Sequence, residues 1–211
     1  MIELYGYRMQ AADTVASLTS QIPEQWLAAW NERHPALTAE NSRVRERACE
    51  SLTGLFLLRK GSLIPPEHAL CYGANGRPFF KDAQVDFSIT HTKGAILCAV
   101  MTGEGRVGLD AETVTRAENL SLNSLAERWF SEQEKALYLA NPTAERFFTI
   151  WTRKEAAVKA SGEGLSSLRE SDTALMEREG KAAFATYRDG DLILTLCHPS
   201  SEKPPHAIQW I

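Results

Sequence analysis

The sequence predicts a chain that mixes helices and strands, and three stretches carry that prediction. Val85–Thr90 alternates apolar and polar residues, and across the turn His91-Thr92-Lys93-Gly94 the apolar run Ala95–Met101 returns as a buried strand. Trp151–Lys159 contains no Gly or Pro and is built mostly of good helix formers. The tail reads as strands, Ala182–Arg188, then Asp191–Cys197 after the turn Asp189-Gly190, then Ala207–Ile211.

The other elements follow from the same periodicities. Ile2–Met9 reads as an opening strand with Ile2, Leu4 and one of Tyr5 or Tyr7 inward, and Pro23–Trp30 as a helix with Trp26, Leu27 and Trp30 on one side. Pro35 and the polar run from Thr38 break the pattern. A helix from Arg43 to Lys60 follows, with Leu52, Leu55 and Phe56 as its stripe, closed by Pro65-Pro66. Gly73–Pro78 is turn chemistry, with Gly76 free to take positive φ. Leu120–Asn141 is helical on Leu122, Leu125, Trp129 and Phe130, but Ser131 with Glu134 fits a capping box and predicts a fresh start there. The last helix runs from Thr143 to Ala160, with Phe147, Ile150, Trp151 and Val158 inward, and stops at Ser161-Gly-Glu-Gly164.

Composition narrows the class. The 211 residues carry a net charge of −4, which disfavours wholesale nucleic-acid binding. No apolar run approaches the roughly 20 residues of a membrane span, and the start lacks the layout of a secretion signal. Cys49, Cys71, Cys98 and Cys197 show no paired spacing and no zinc motif, and the five histidines show no metal-ligand spacing. A cytoplasmic protein is expected.

Two patterns suggest chemistry. Along Trp151–Lys159, the helical period stacks Trp151, Glu155 and Lys159 on one face. Alone, that Glu-Lys pair reads equally as a solvated pair worth about 0.2–0.5 kcal/mol. Along Val107–Glu112, a strand period of two puts Val107, Leu109 and Ala111 on one face and Gly108, Asp110 and Glu112 on the other. Two carboxylates pointing one way repel unless screened, and magnesium takes such oxygens. A solvated edge strand with two surface acids is the alternative. His91, at a strand end, is a weaker candidate.

Val107-Gly-Leu-Asp-Ala-Glu112, Trp129-Phe-Ser-Glu-Gln-Glu134, Trp151-Thr-Arg-Lys-Glu-Ala-Ala-Val-Lys159 and Gly162-Glu-Gly-Leu165 resemble the ordered motifs of the 4′-phosphopantetheinyl transferase superfamily. Phe87-Ser-Ile-Thr-His91 and Gly76-Arg-Pro78 resemble the two motifs before them, so the likeness runs from about Gly73 to Leu165. The length is similar to the monomeric, surfactin-synthetase-activating type rather than to the short trimeric carrier-protein synthases. The resemblance implies two similar α+β halves in pseudo-twofold arrangement, 1–101 and 102–211, with coenzyme A bound between them and the metal-binding acids in the second. It implies a holo-[acyl-carrier-protein] synthase type of enzyme, which moves phosphopantetheine from coenzyme A to a serine hydroxyl of an apo acyl or peptidyl carrier protein and releases 3′,5′-ADP.

Carried over by motif, Asp110, Glu112 and Glu155 would hold magnesium, or manganese, against the pyrophosphate. Thr90 and His91 would lie at the coenzyme A phosphates, Arg77 at the 3′-phosphate and Lys159 along the pyrophosphate. Glu155, or a water it orients, would accept the serine proton, and Glu134 is either a further catalytic acid or the cap partner of Ser131. Glu50 stands where an arginine for the nucleotide is common, and Arg47 or Arg43 would substitute from a neighbouring turn. Two other readings of the same acids are a metal-dependent nucleotide phosphohydrolase and a non-catalytic module that binds coenzyme A or carrier proteins.

Overall fold

In a computed structural model that describes residues 1–10, 12–34, 42–61, 67–81 and 84–211, the elements follow one another as β1 (Ile2–Arg8), α1 (Val15–Thr19), α2 (Glu24–Arg33), α3 (Ser42–Gly61), β2 (Leu70–Tyr72), β3 (Pro78–Phe80), β4 (Val85–Thr92), β5 (Ala95–Thr102), β6 (Gly108–Thr113), a 3₁₀ helix (Val114–Asn119), α4 (Leu122–Trp129), α5 (Glu132–Leu139), α6 (Ala144–Ser161), a second 3₁₀ helix (Leu165–Ser167), α7 (Thr173–Arg178), β7 (Ala183–Asp189), β8 (Leu192–His198) and β9 (Gln209–Trp210). The mixture is α+β, as expected. The breaks expected at Pro35, after Thr38 and at Pro65-Pro66 lie outside the described residues, as do the side chains of Arg43 and Arg45. Among the described residues no helix is long and apolar enough to cross a membrane.

The chain divides into two compact units, one of Met1–Glu104 with Pro205–Ile211 and one of Gly105–Pro204. In the first unit the sheet order is β4-β5-β1-β9, with β5 antiparallel to both neighbours and β9 parallel to β1. The turn expected over His91–Gly94 is shorter, because pairing runs on through His91↔Ile96 and Thr92↔Ala95. Gly94, at φ 73°, lets two residues close the hairpin. α3 packs its buried Leu52, Leu55 and Phe56 into the core with Trp26, Trp30, Phe80 and Phe87. Gly54 gives α3 its close approach, since a Cβ there would stand 2.6 Å from Ile89 Cγ2. Of the tail strand expected over Ala207–Ile211, only Gln209 and Trp210 pair with β1, where Trp210 covers Gly6 and lies under the Arg8 guanidinium.

In the second unit an antiparallel sheet of order β6-β8-β7 carries α6 on one face. All seven residues of β8 are buried. The break expected near Phe130 is present. Ser131 accepts a hydrogen bond from the Glu134 amide, and Glu134 answers to the Ser131 amide, so α5 starts afresh after α4. Phe130, Tyr138, Phe147 and Phe148 then fill the space between α5 and α6. α6 ends at Gly162, whose φ of 74° is the left-handed conformation of a helix stop.

One close approach fixes how α6 lies. A Cβ built on Gly108 would stand 1.9 Å from the Ala156 carbonyl oxygen and 2.6 Å from the Ala160 nitrogen, both backbone atoms of α6. Backbone cannot rotate aside as a side chain can. Gly108→Ala is expected to lower the stability of the second unit by about 3 kcal/mol, the upper range of overpacking, read as a fall in urea midpoint. An unchanged midpoint would show that α6 does not rest on that strand.

Candidate active site

Two periodicities meet on one face of the second unit. The period of two along β6 sends Gly108, Asp110 and Glu112 to the side where α6 lies, and there the α6 backbone covers Gly108. Asp110 is 4% exposed and Glu112 8%, although β6 is an edge strand. The reading of two solvated surface acids is therefore wrong, because α6 shields them from water.

Buried carboxylates need partners. Lys159 donates from Nζ to Asp110 Oδ1 at 2.6 Å. Glu112 Oε1 accepts from the guanidinium of Arg116, on the 3₁₀ helix that follows the strand. Glu155, one turn before Lys159, is pushed up from 4.5 to about 7. Burial is the larger cause and the Asp110 charge the next. Lys159, Arg116 and a hydrogen bond from Trp151 pull the other way, so the stacking of Trp151, Glu155 and Lys159 read from the sequence is present. A carboxyl poised near neutrality is suited to accepting a proton.

The donor set fits a hard divalent ion in its chemistry, since all three acids offer oxygen and the Asp110 charge raises the cost of ionising Glu155. As they stand, no three of the described His, Cys, Asp and Glu residues are grouped to hold a metal ion, and Lys159 and Arg116 contact Asp110 and Glu112.

Glu134 has a different setting. It is 3% exposed, and its Oε2 accepts from the Ser131 amide at 2.9 Å and from Lys154 Nζ at 2.8 Å. Its Oε1 accepts from the Thr173 hydroxyl at 3.1 Å. Of the two roles open to it, the cap is the one the geometry displays. Lys154, fully buried beside Glu155 in the helix, also donates to the Ser171 carbonyl, so this pair ties α5, α6 and the start of α7 together.

The remaining candidates belong to the first unit. Arg77 donates to Asp86 Oδ2 at 2.6 Å and to the Phe87 carbonyl at 3.4 Å. His91 Nδ1 lies 3.5 Å from Glu50 Oε2, with its side chain half exposed. Thr90 is buried, and Arg47 is exposed near the start of α3. Sequence reasoning missed Arg116, Lys154 and Arg33. Arg116 stands four residues after Glu112, a spacing that could have signalled the pair. Arg33 reaches the turn before Arg77, its Nη2 only 2.8 Å from where a Cβ of Gly76 would stand. Nothing in the local pattern signals that contact.

The family model of the 4′-phosphopantetheinyl transferase superfamily matches residues 106–206. The chain is 33% identical over 115 residues to the 4′-phosphopantetheinyl transferase HetI of Nostoc sp. PCC 7120, covering 51% of this chain and 47% of that one. It is 35% identical over 120 residues to the transferase AcpT of Salmonella typhimurium, covering 55% and 60%. It is 32% identical over 127 residues to the transferase gsp of Aneurinibacillus migulanus, covering 56% and 50%. The chain thus spans about half the length of the curated relatives it matches, and the superfamily resemblance read from the motifs is borne out.

Two outcomes follow from the charges. Removing Lys154 alone (Lys154→Met) leaves the Glu134 carboxylate buried without its cation and is expected to cost about 3–5 kcal/mol. The double change Lys154→Met with Glu134→Gln should recover much of that loss in urea unfolding; equal losses would show the pair to be uncoupled. The second outcome concerns pH. The folded-state pKa of Glu155 is above its ordinary value, so its contribution to stability is complete below about pH 4.5 and is lost as pH rises through about 7. In metal-free buffer, wild-type stability measured against Glu155→Gln should fall over that window by at most about 3 kcal/mol. A difference independent of pH would contradict the assignment.

Proposed function

We propose, on the basis that residues 106–206 match the family model of the 4′-phosphopantetheinyl transferase superfamily, that this protein transfers the 4′-phosphopantetheine arm of coenzyme A to a serine hydroxyl of an apo acyl or peptidyl carrier protein, leaving 3′,5′-ADP. The observation that carries the reading is the group of buried Asp110 with half-buried Glu155 and Lys159, which pairs acids with a cation inside the matched segment. Transfer of a phosphoryl-linked group needs charge neutralisation and alignment more than covalent help. That is what such a group supplies.

Asp110, Glu112 and Glu155 are the residues that would hold magnesium or manganese. Bound there, the ion would neutralise pyrophosphate charge. Lys159 is placed to follow the pyrophosphate once it leaves Asp110. His91, Thr90, Arg77 and Arg47 of the first unit are proposed for the phosphates of coenzyme A, with Arg33 added from its place at the Gly76 turn. Glu155, poised near neutrality, would accept the serine proton, and Glu134 would support it through Lys154, its neighbour on α6. The two units are proposed to be related halves, since each lays one long helix, α3 or α6, on a sheet whose long strands run antiparallel.

Incubated with coenzyme A and magnesium, the protein should add one phosphopantetheine to an apo carrier protein, read as intact mass. Chelator, Asp110→Ala and Glu155→Gln should each reduce the rate by at least about 100-fold. Transfer at the wild-type rate in chelator would remove the metal from the reading. Coenzyme A consumed with every carrier unmodified would replace transfer with hydrolysis.

A further inference from the structure

We propose that Thr195 is a positioning residue, which sets the seat of α6 through a chain of hydroxyls and so places Glu155 and Lys159 over Asp110. This inference rests on the transfer reading above and extends it to residues outside the recognised motifs.

The pairing register puts Asp110, Thr195 and Thr186 directly opposite one another across β6, β8 and β7. Residues paired in this way point to the same face of a sheet, here the face that α6 covers. α6 meets this row twice. Lys159 reaches Asp110 at 2.6 Å, and Thr152, two turns earlier, meets Thr195 with hydroxyl oxygens 2.8 Å apart. Thr186 lies on the other side of Thr195, at 3.1 Å.

Each hydroxyl has a single proton, so the chain runs in one direction or the other. With Thr152 donating to the Thr149 carbonyl at 3.3 Å, Thr195 donates to Thr152 and Thr186 to Thr195. Every proton has an acceptor, and the chain ends on the helix backbone. Both Thr152 and Thr195 are fully buried, so a slide of α6 along the sheet would break a hydroxyl–hydroxyl bond that water cannot replace. Gly108 sets how closely the helix approaches, but apolar contact alone would tolerate sliding. The hydroxyl pair selects one axial position. Glu155 lies between the two points of attachment, three residues after Thr152 and four before Lys159.

Valine tests this because it keeps the shape of threonine and replaces the oxygen with a methyl. Carbon atoms need about 3.5–4.0 Å of separation, so a methyl facing the Thr152 oxygen presses α6 outward. A displacement approaching 1 Å can cost roughly 100-fold in rate. The experiment compares wild type, Thr195→Val and Thr195→Ser in steady-state transfer to an apo carrier protein, with each rate normalised to folded protein measured by circular dichroism. Thr195→Val should lower kcat by about 10–100-fold and change KM for coenzyme A less than kcat, and Thr195→Ser, which retains the hydroxyl, should stay near wild type. Should Thr195→Val not fold, Thr195→Ala against Thr195→Ser makes the same comparison without an added methyl, with Ser faster than Ala. A folded Thr195→Val with wild-type kcat, or Thr195→Ser as slow as the variant lacking the hydroxyl, would overturn the inference. Wild type that transfers nothing would instead overturn the transfer reading, and this inference with it.

Discussion

A helix backbone resting on a glycine is the constraint on which the second unit depends. Because Gly108 has no side chain, the backbone at Ala156 and Ala160 can lie against β6. That contact brings α6 over Asp110, two residues along the same face, and removes its carboxylate from water. A buried carboxylate then requires a cation, which Lys159 provides at 2.6 Å. The same burial, with the Asp110 charge, raises the Glu155 carboxyl to about 7. A glycine, an ion pair and a titration near neutrality are thus consequences of one packing distance.

The charges show a second regularity. Four candidate phosphate-binding side chains each stand beside an acid: Lys159 at Asp110, Arg116 at Glu112, Arg77 at Asp86 and His91 at Glu50. Under the proposed reaction, both members of the pairs in the second unit have an incoming partner. A divalent ion held by Asp110, Glu112 and Glu155 would satisfy the acids, and phosphate oxygens would satisfy Lys159 and Arg116. The ion pairs would keep the buried charges compensated until both arrive. Lys154 and Glu134 differ, since their additional bonds to Ser131, Ser171 and Thr173 leave them fixed by the fold itself.

Much of this was legible in the sequence, for physical reasons that can be named. Strand and helix periods located β4, β5, β6 and α6, and the offsets within them put Asp110 with Glu112 and Trp151 with Glu155 and Lys159. The capping box at Ser131 was legible because both of its hydrogen bonds are local. What was not legible depends on contacts far apart in sequence. That α6 covers the β6 acids follows from the Gly108 approach, which no period reveals. The burial of Lys154 follows from an acid twenty residues away, and the hydroxyl chain from a partner forty-three residues away. The short helices α1 and α7 escaped as well, since five or six residues barely complete a turn and a half of pattern.

The most direct measurement of the central proposal, that Asp110, Glu112 and Glu155 would come together on one cation, is the Glu155 carboxyl titration followed by carbon-13 NMR with and without magnesium. Without the ion, the carboxyl should titrate near 7. With saturating magnesium, its midpoint should fall below the ordinary value of 4.5, because a bound divalent charge favours the carboxylate. A midpoint near 7 in both conditions would contradict the proposal.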